Sequence, residues 1–183
     1  MAELLEDIAA NVDPALHPYV NLDRVAYFQA QLDHLRQSSA ATNPRGRDQI
    51  LQAHFSLANE LLQAGQSDRA VQEYRQLQTV VYHPRLRHSL QLLVGLAYLR
   101  LGEQENCIVQ HNIDSCLMPI RGTGVHQIKR GSSAAIEEFL GVLSRNPSDL
   151  SARWLLNIAY MTLGQYPEEV PQNLLIPPEV FTS

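Results

Sequence analysis

The sequence predicts an all-α protein built from antiparallel helical hairpins that resemble tetratricopeptide repeats and form a short solenoid. The first observation is internal similarity, since residues 57–74 (LANELLQAGQSDRAVQEY) match residues 94–111 (VGLAYLRLGEQENCIVQH) at an offset of 37 residues. The second is the order of small, glycine and aromatic positions in each copy, which is typical of that repeat. Each such hairpin leaves an apolar face that only the next hairpin covers, so the hairpins are expected to stack.

Composition supports a folded globular chain and argues against two classes of partner. The chain has 183 residues, of which 45% are hydrophobic and 18% charged, with a net charge of −5. This acidic balance offers no basic surface for nucleic acid. No apolar run approaches the roughly 20 residues needed to span a bilayer, so we expect no membrane partner.

The first ten residues, MAELLEDIAA, contain acidic side chains but no basic one. A secretory signal needs a positively charged start followed by an apolar stretch, so the expected compartment is the cytoplasm. Thiols normally stay reduced there, and we expect both cysteines to be reduced.

Three regions are predicted along the chain. Residues 1–47 form an N-terminal helical cap and loop, residues 48–171 form the tetratricopeptide-like domain, and residues 172–183 form an extended proline-rich tail. Within the repeat domain the hydrophobic spacing predicts helices near 50–65, 68–80, 88–101, 104–117, 133–145 and 150–164.

The first two copies align residue by residue. Gly65 of the first copy and Gly102 of the second occupy the position of the turn glycine between paired helices. Cys107 takes the small buried position of the second copy, and His111 takes the aromatic position one turn later. Residues four apart share a helix face, so both side chains are expected to point into the stack.

A third copy is split by the intervening sequence. Residues 134–147 (AAIEEFLGVLSRNP) resemble the second helix of a repeat, and residues 152–171 resemble the first helix of another, ending near Gly164. Large apolar side chains at helical spacing are expected to build the C-terminal core. These residues are Phe139, Trp154, Leu155, Ile158 and Tyr160.

A long irregular loop, residues 119–131, stands where the repeat pattern requires a helix. Its glycines make a regular helix costly, and long loops within compact domains are often functional. We expect the loop to fold back over the preceding helix and to bring its histidine and cations together with His111. Such a site suits an acidic group on a partner; a solvated basic loop is the alternative. The candidate binding residues are His111, Arg121, His126, Lys129 and Arg130.

The same segment holds side chains that bind soft metals. Cys107, His111, Cys116 and His126 are suitable ligands for zinc or copper. Their spacing matches no standard zinc signature. Cys107 and His111 are equally suited to be ordinary core residues, and both interpretations stay open at this stage. A disulfide between the cysteines is excluded if the helix between them is continuous, because nine residues separate them by about 13 Å.

Four stretches resemble a known family, namely NCIVQHNIDSCLMPI, GVHQIKRGSSAAI, DLSARWLLNIAYMTLGQYPEEVP and LLIPP. They are similar to the tetratricopeptide region that precedes the FG-GAP/VCBS propeller in bacterial CRTAC-like proteins with an ASPIC/UnbV domain. The similarity covers residues 50–180. It implies a helical-repeat fold and a propeller domain as one candidate partner, and it implies no reaction for the repeat region.

Two functions follow as hypotheses. The first is a helical-repeat binding or scaffold module that recognises a partner protein or peptide, an expectation drawn from the fold. The alternative is a metal-binding enzyme, or an enzyme component of a biosynthetic pathway, that uses the Cys/His cluster at 107–126.

Overall fold

The structure, a computed structural model, describes residues 2–13, 21–107, 114 and 117–181. Every regular element within these ranges is a helix, which confirms the all-α class. None of these helices is long and apolar enough to cross a bilayer. The α-helices are α1 (Ala2–Ala10), α2 (Asn21–Gln37), α3 (Pro44–Gln63), α4 (Ser67–Val80), α5 (Pro84–Cys107), α6 (Arg130–Arg145) and α7 (Leu150–Thr162). Short 3-10 helices cover Ser39–Thr42, Gly122–Gly124 and Pro178–Phe181.

Two compact units divide the chain, Met1–Glu73 and Tyr74–Ser183. The first unit therefore contains more than the predicted cap of residues 1–47, because α3 packs on α2. The division falls inside α4, whose first half belongs to the first unit and whose second half belongs to the second.

In the first unit, α2 and α3 share an apolar interface. Leu32 on α2 and Leu57 and Leu61 on α3 are fully buried. An ion pair of 2.6 Å between Arg24 and Glu60 crosses the same pair of helices. Apolar side chains at helical spacing on both helices thus explain why this pair forms.

The start of α3 and the start of α4 follow local sequence rules. Asn43 caps α3 by accepting a hydrogen bond from the Gly46 N–H at 2.8 Å, and Pro44 occupies the first turn, where its missing N–H costs nothing. After α3, Gly65 adopts a φ of 73°. This left-handed conformation favours glycine and ends the helix at the predicted turn.

The second unit has a core made by α5, α6 and α7. Phe139, Val142, Leu156 and Ala159 are buried within it. The ring of Phe139 lies against Gly95, where an added Cβ would stand 2.5 Å from the ring. Gly95 therefore lets α5 approach the aromatic side chain of α6 closely.

The tail is held against α7 and is not a free extended segment over its described part, residues 172–181. The buried side chain of Asn157 bonds the tail twice, donating to the Leu174 carbonyl at 3.0 Å and accepting from the Ile176 N–H at 3.0 Å. The Tyr166 hydroxyl donates to the Ile176 carbonyl at 2.6 Å. These polar contacts bind the tail to the second unit.

One predicted turn is wrong. The sequence placed a helix at 88–101, a turn at Gly102 and a new helix at 104–117, whereas α5 continues without a break from Pro84 to Cys107. Gly102 is buried in this helix and meets Gly131, where a Cβ would lie 2.5 Å from the Gly102 nitrogen. Gly102 therefore allows α5 and α6 to pack closely. Because a glycine suits both a turn and a close helix contact, sequence similarity alone does not distinguish the two roles.

Trp154 is a second correction. We expected its ring in the C-terminal core, but Trp154 is 39% exposed, and its ring packs on Phe181 of the tail at 4.9 Å. The other predicted core residues behave as expected, with Phe139, Ile158 and Tyr160 buried and Leu155 packed against them. α7 turns Trp154 toward the tail because the opposite face of that helix fills the core.

Candidate anion-binding cleft

A cleft of about 600 Å³ opens on the second unit, between the end of α4, the start of α5 and α6. Its lining is dominated by guanidinium groups, which carry a fixed positive charge. We call it the arginine cleft. It is lined by Arg75, Gln78, Tyr82, Pro84, Arg87, Gln91, Glu138 and Arg145.

The floor of the cleft is an ion pair. The Arg75 guanidinium lies 2.5 Å from a carboxylate oxygen of Glu138, and it also lies over the ring of Tyr98 at 5.5 Å from the ring centre. Burial lowers the pKa of Arg75, but the hydroxyl of Tyr98 and the charge of Glu138 outweigh it and hold the pKa above its ordinary value. Glu138 is almost completely buried, and its carboxylate is paired with Arg75.

The walls carry the two other arginines. The Arg145 guanidinium donates a hydrogen bond to the side-chain oxygen of Gln91. An added Cβ at Gly141 would meet the Gln91 side chain, so α6 passes close to α5 here. Arg87, one helical turn before Gln91 on α5, lines the same cleft. No described side chain pairs with Arg87, which is exposed to the cleft.

The first turns of α5 add to the positive potential. No acidic residue occupies the first turn, while Arg85, Arg87 and His88 all lie near this end. Cations are unfavourable at a helix N-terminus, because the free N–H groups there already carry partial positive charge. His88 bonds the Asp149 carboxylate at 2.7 Å, whereas no described carboxylate pairs with Arg85 or Arg87. The arrangement is electrostatically costly for α5 unless an anion is bound nearby.

His126, a predicted binding residue, lies in a closed environment. It is 2% exposed, and its Nδ1 lies 2.9 Å from the Ser132 hydroxyl, which in turn lies 2.8 Å from the Thr162 hydroxyl. The backbone N–H of His126 donates to the Thr162 carbonyl at 2.8 Å. Burial lowers the pKa of His126, so the imidazole is kept neutral. We call His126, Ser132 and Thr162, with the helix contact of Gly102 and Gly131, the His126 seam.

The loop does fold back over α5, as expected. Asn106 holds it there, since its amide donates to the Ile128 carbonyl at 3.0 Å and its oxygen accepts from the Ile128 N–H at 2.9 Å. With the loop held in this position, His126 lies next to Gly102.

The predicted cations take separate places. Arg130, at the start of α6, pairs with Glu105 of α5, and Lys129 precedes that helix. Arg121 precedes the short 3-10 helix, near the Asp114 carboxylate. Hydrogen bonds from Thr123, reinforced by Arg121, lower the pKa of Asp114. His111 lies outside the described residues, so its predicted convergence with His126 stays a prediction.

The metal hypothesis also stays a prediction. Cys107 is half-buried at the last residue of α5, and His111 and Cys116 lie outside the described residues. Among the residues that the structure describes, no three histidine, cysteine or acidic side chains are grouped to hold a metal ion. Zinc and copper analysis of the purified protein tests this hypothesis directly.

The arginine cleft was not identified from the sequence. The only local signal is the basic stretch YHPRLRH at 82–88, which spans the start of α5. Arg75 and Arg145 are distant in sequence and join it only through the packing of α4 and α6.

Comparison with known proteins adds no identification. The chain matches no family model, no curated protein and no solved structure. The similarity to the CRTAC-like repeat region therefore stays an expectation, and function is argued from the geometry alone.

Proposed function

We propose that this chain is a helical-repeat binding module that recognises a partner protein or peptide, and that the arginine cleft receives part of the partner. The observation that carries the proposal is the cleft itself. It is wide enough for a side chain and the backbone around it, and three of its eight lining residues are arginines. Arginine is enriched where binding energy concentrates at protein interfaces.

The chemistry of the lining supports binding and not a reaction. The cleft contains arginine, glutamine, tyrosine, proline and one glutamate, and that glutamate is already paired with Arg75. Glutamine and tyrosine can hydrogen-bond a peptide backbone or a side chain. Among the described residues that line this cleft, there is no cysteine, serine or histidine.

Selection from a random peptide library tests the proposal. The full chain is immobilised, twelve-residue peptides are displayed, and the enriched sequences are compared with those from the double variant Arg87→Glu, Arg145→Glu. We expect wild type to enrich peptides rich in Asp and Glu, and the charge-reversed variant to lose them. Equal enrichment by both proteins would show that the cleft does not bind peptides.

A matched control separates the cleft from general charge. Arg100 lies on the same helix α5, is exposed and pairs with Glu103 at 2.5 Å, outside the cleft. Arg100→Glu makes a charge change of the same kind and should keep the enrichment of acidic peptides.

A further inference from the structure

The charges of the arginine cleft do not balance. Among the described lining residues there are three guanidinium groups and one carboxylate, and that carboxylate, Glu138, is paired with Arg75. Arg87 and Arg145 contribute two further positive charges, and no other described lining residue carries a carboxylate. A ligand that completes this site should therefore bring two negative charges to one place.

The two uncompensated arginines are held on rigid elements. Arg87 lies in the second turn of α5 and Arg145 is the last residue of α6, and both line the cleft. Gln91, one turn after Arg87, bonds the Arg145 guanidinium and fixes its direction. Two guanidinium groups in one cleft suit an anion whose oxygens can accept from both.

The first turn of α5 also favours a ligand that carries two negative charges. Pro84 lines the cleft, so the first turn of α5 borders it. A dianion there would offset the repulsion between the helix dipole and the arginines of this end. One carboxylate carries one charge and two oxygens, whereas a phosphoryl group carries nearly two charges and three acceptor oxygens.

We propose that the arginine cleft holds a phosphorylated side chain of the partner peptide, with Arg87 and Arg145 binding the phosphoryl oxygens and Arg75 forming the fixed floor. This inference rests on the proposed function, because it names the group by which a partner peptide is recognised. Tyr82 and Gln78, at the same cleft, are placed to contact the peptide beside the phosphoryl group.

Fluorescence anisotropy with synthetic peptides tests this inference. The probes are labelled nine-residue peptides with degenerate flanks and a central phosphoserine, and the matched pools have serine or glutamate at the centre. We expect the phosphoserine pool to bind the full chain about tenfold more tightly than the glutamate pool, since it adds a charge-assisted hydrogen bond. Serine at the centre should bind weakest.

Substitutions that keep the fold locate the site. Arg87→Gln and Arg145→Gln should each weaken binding of the phosphoserine pool about tenfold or more, while Arg100→Gln, on the exposed Arg100–Glu103 pair, should leave it unchanged. Circular dichroism confirms that each variant is folded. Equal loss in all three variants would overturn the assignment, because it would show general electrostatic attraction.

The remaining outcomes separate the two proposals. If the glutamate pool binds as tightly as the phosphoserine pool and depends on Arg87, the phosphoryl inference fails and peptide recognition stands. If inorganic phosphate binds as tightly as the phosphoserine pool, the peptide contributes nothing, and the partner assignment fails. If no pool binds while the displayed library still enriches peptides independently of Arg87 and Arg145, the cleft is not the site.

Discussion

The two ends of the α5–α6 helix pair differ in how their polar side chains are satisfied. At one end the His126 seam is closed, with His126, Ser132 and Thr162 hydrogen-bonded to one another and hidden from solvent. At the other end the arginine cleft is open, and Arg87 has no partner among the described side chains.

The two ends show the difference between polar residues that stabilise the fold and polar residues that are candidates for binding. Buried polar groups normally find partners within the protein, as the His126 seam does, and such groups stabilise one particular packing. Arg87 is exposed to an open cleft and has no such partner among the described side chains. Histidine is the residue that attracts attention in a sequence, yet here the arginines are the better candidates for binding.

The largest expected effect comes from the aromatic ring between the two ends. Phe139→Ala should lower the free energy of unfolding by about 3–5 kcal/mol, because the ring is fully buried against Gly95. Urea denaturation measures this change. Trp154→Ala is the control and should cost clearly less, because that ring is 39% exposed. Equal costs would mean that the tail shields Trp154 in solution.

Adding a methyl group to a glycine should change stability differently at the two ends of the helix pair. Gly131→Ala should cost about 1–3 kcal/mol of stability, because its Cβ would lie 2.5 Å from the Gly102 backbone, which cannot move aside. Gly141→Ala, near the cleft, meets only the flexible end of Gln91 and should change stability by less than about 0.5 kcal/mol. Thermal unfolding of both variants measures the difference. A larger loss for Gly141→Ala would contradict the close Gly102–Gly131 contact as the more restrictive of the two.

Lowering the pH should reduce the stability that His126 contributes at the closed end of the helix pair. The folded-state pKa of His126 lies below the ordinary value of 6.5, so the unfolded chain takes up the proton more readily. The stability that His126 contributes is therefore present above pH 6.5 and is lost as the pH falls from there toward the folded-state pKa. Urea denaturation between pH 5 and 8 measures it. In His126→Gln this part of the dependence should disappear, and an unchanged curve would show that His126 is not responsible.

The smallest effect on stability is expected at the open end. Arg87→Gln should leave the protein as stable as wild type, or stabilise it by about 0.3–1 kcal/mol at low salt, because it removes a cation from the N-terminal region of α5. Thermal unfolding without added phosphate tests this. A loss of more than 1 kcal/mol would reveal a structural role for Arg87 and weaken its assignment to binding.

The similarity between the repeat copies predicted local structure well at positions where a single sequence signal determines it. The turn at Gly65 and the buried Phe139 of α6 agree with the predicted positions. Gly102 shows the limit of that pattern. A glycine can end a helix or permit close packing within one, and the choice depended on Gly131, which is distant in sequence.

Helical periodicity and capping are local properties, so the sequence alone predicts the all-α class, the ends of α4 and α6 and most apolar positions of the core. The packing of the helices determines which polar side chains have partners and which line an open cleft. His126 is enclosed where the loop lies against Gly102, and Arg75, Arg87 and Arg145, from α4, α5 and α6, line one cleft. Charge balance in a cleft depends on distances between residues far apart in the chain, and no local pattern encodes those distances.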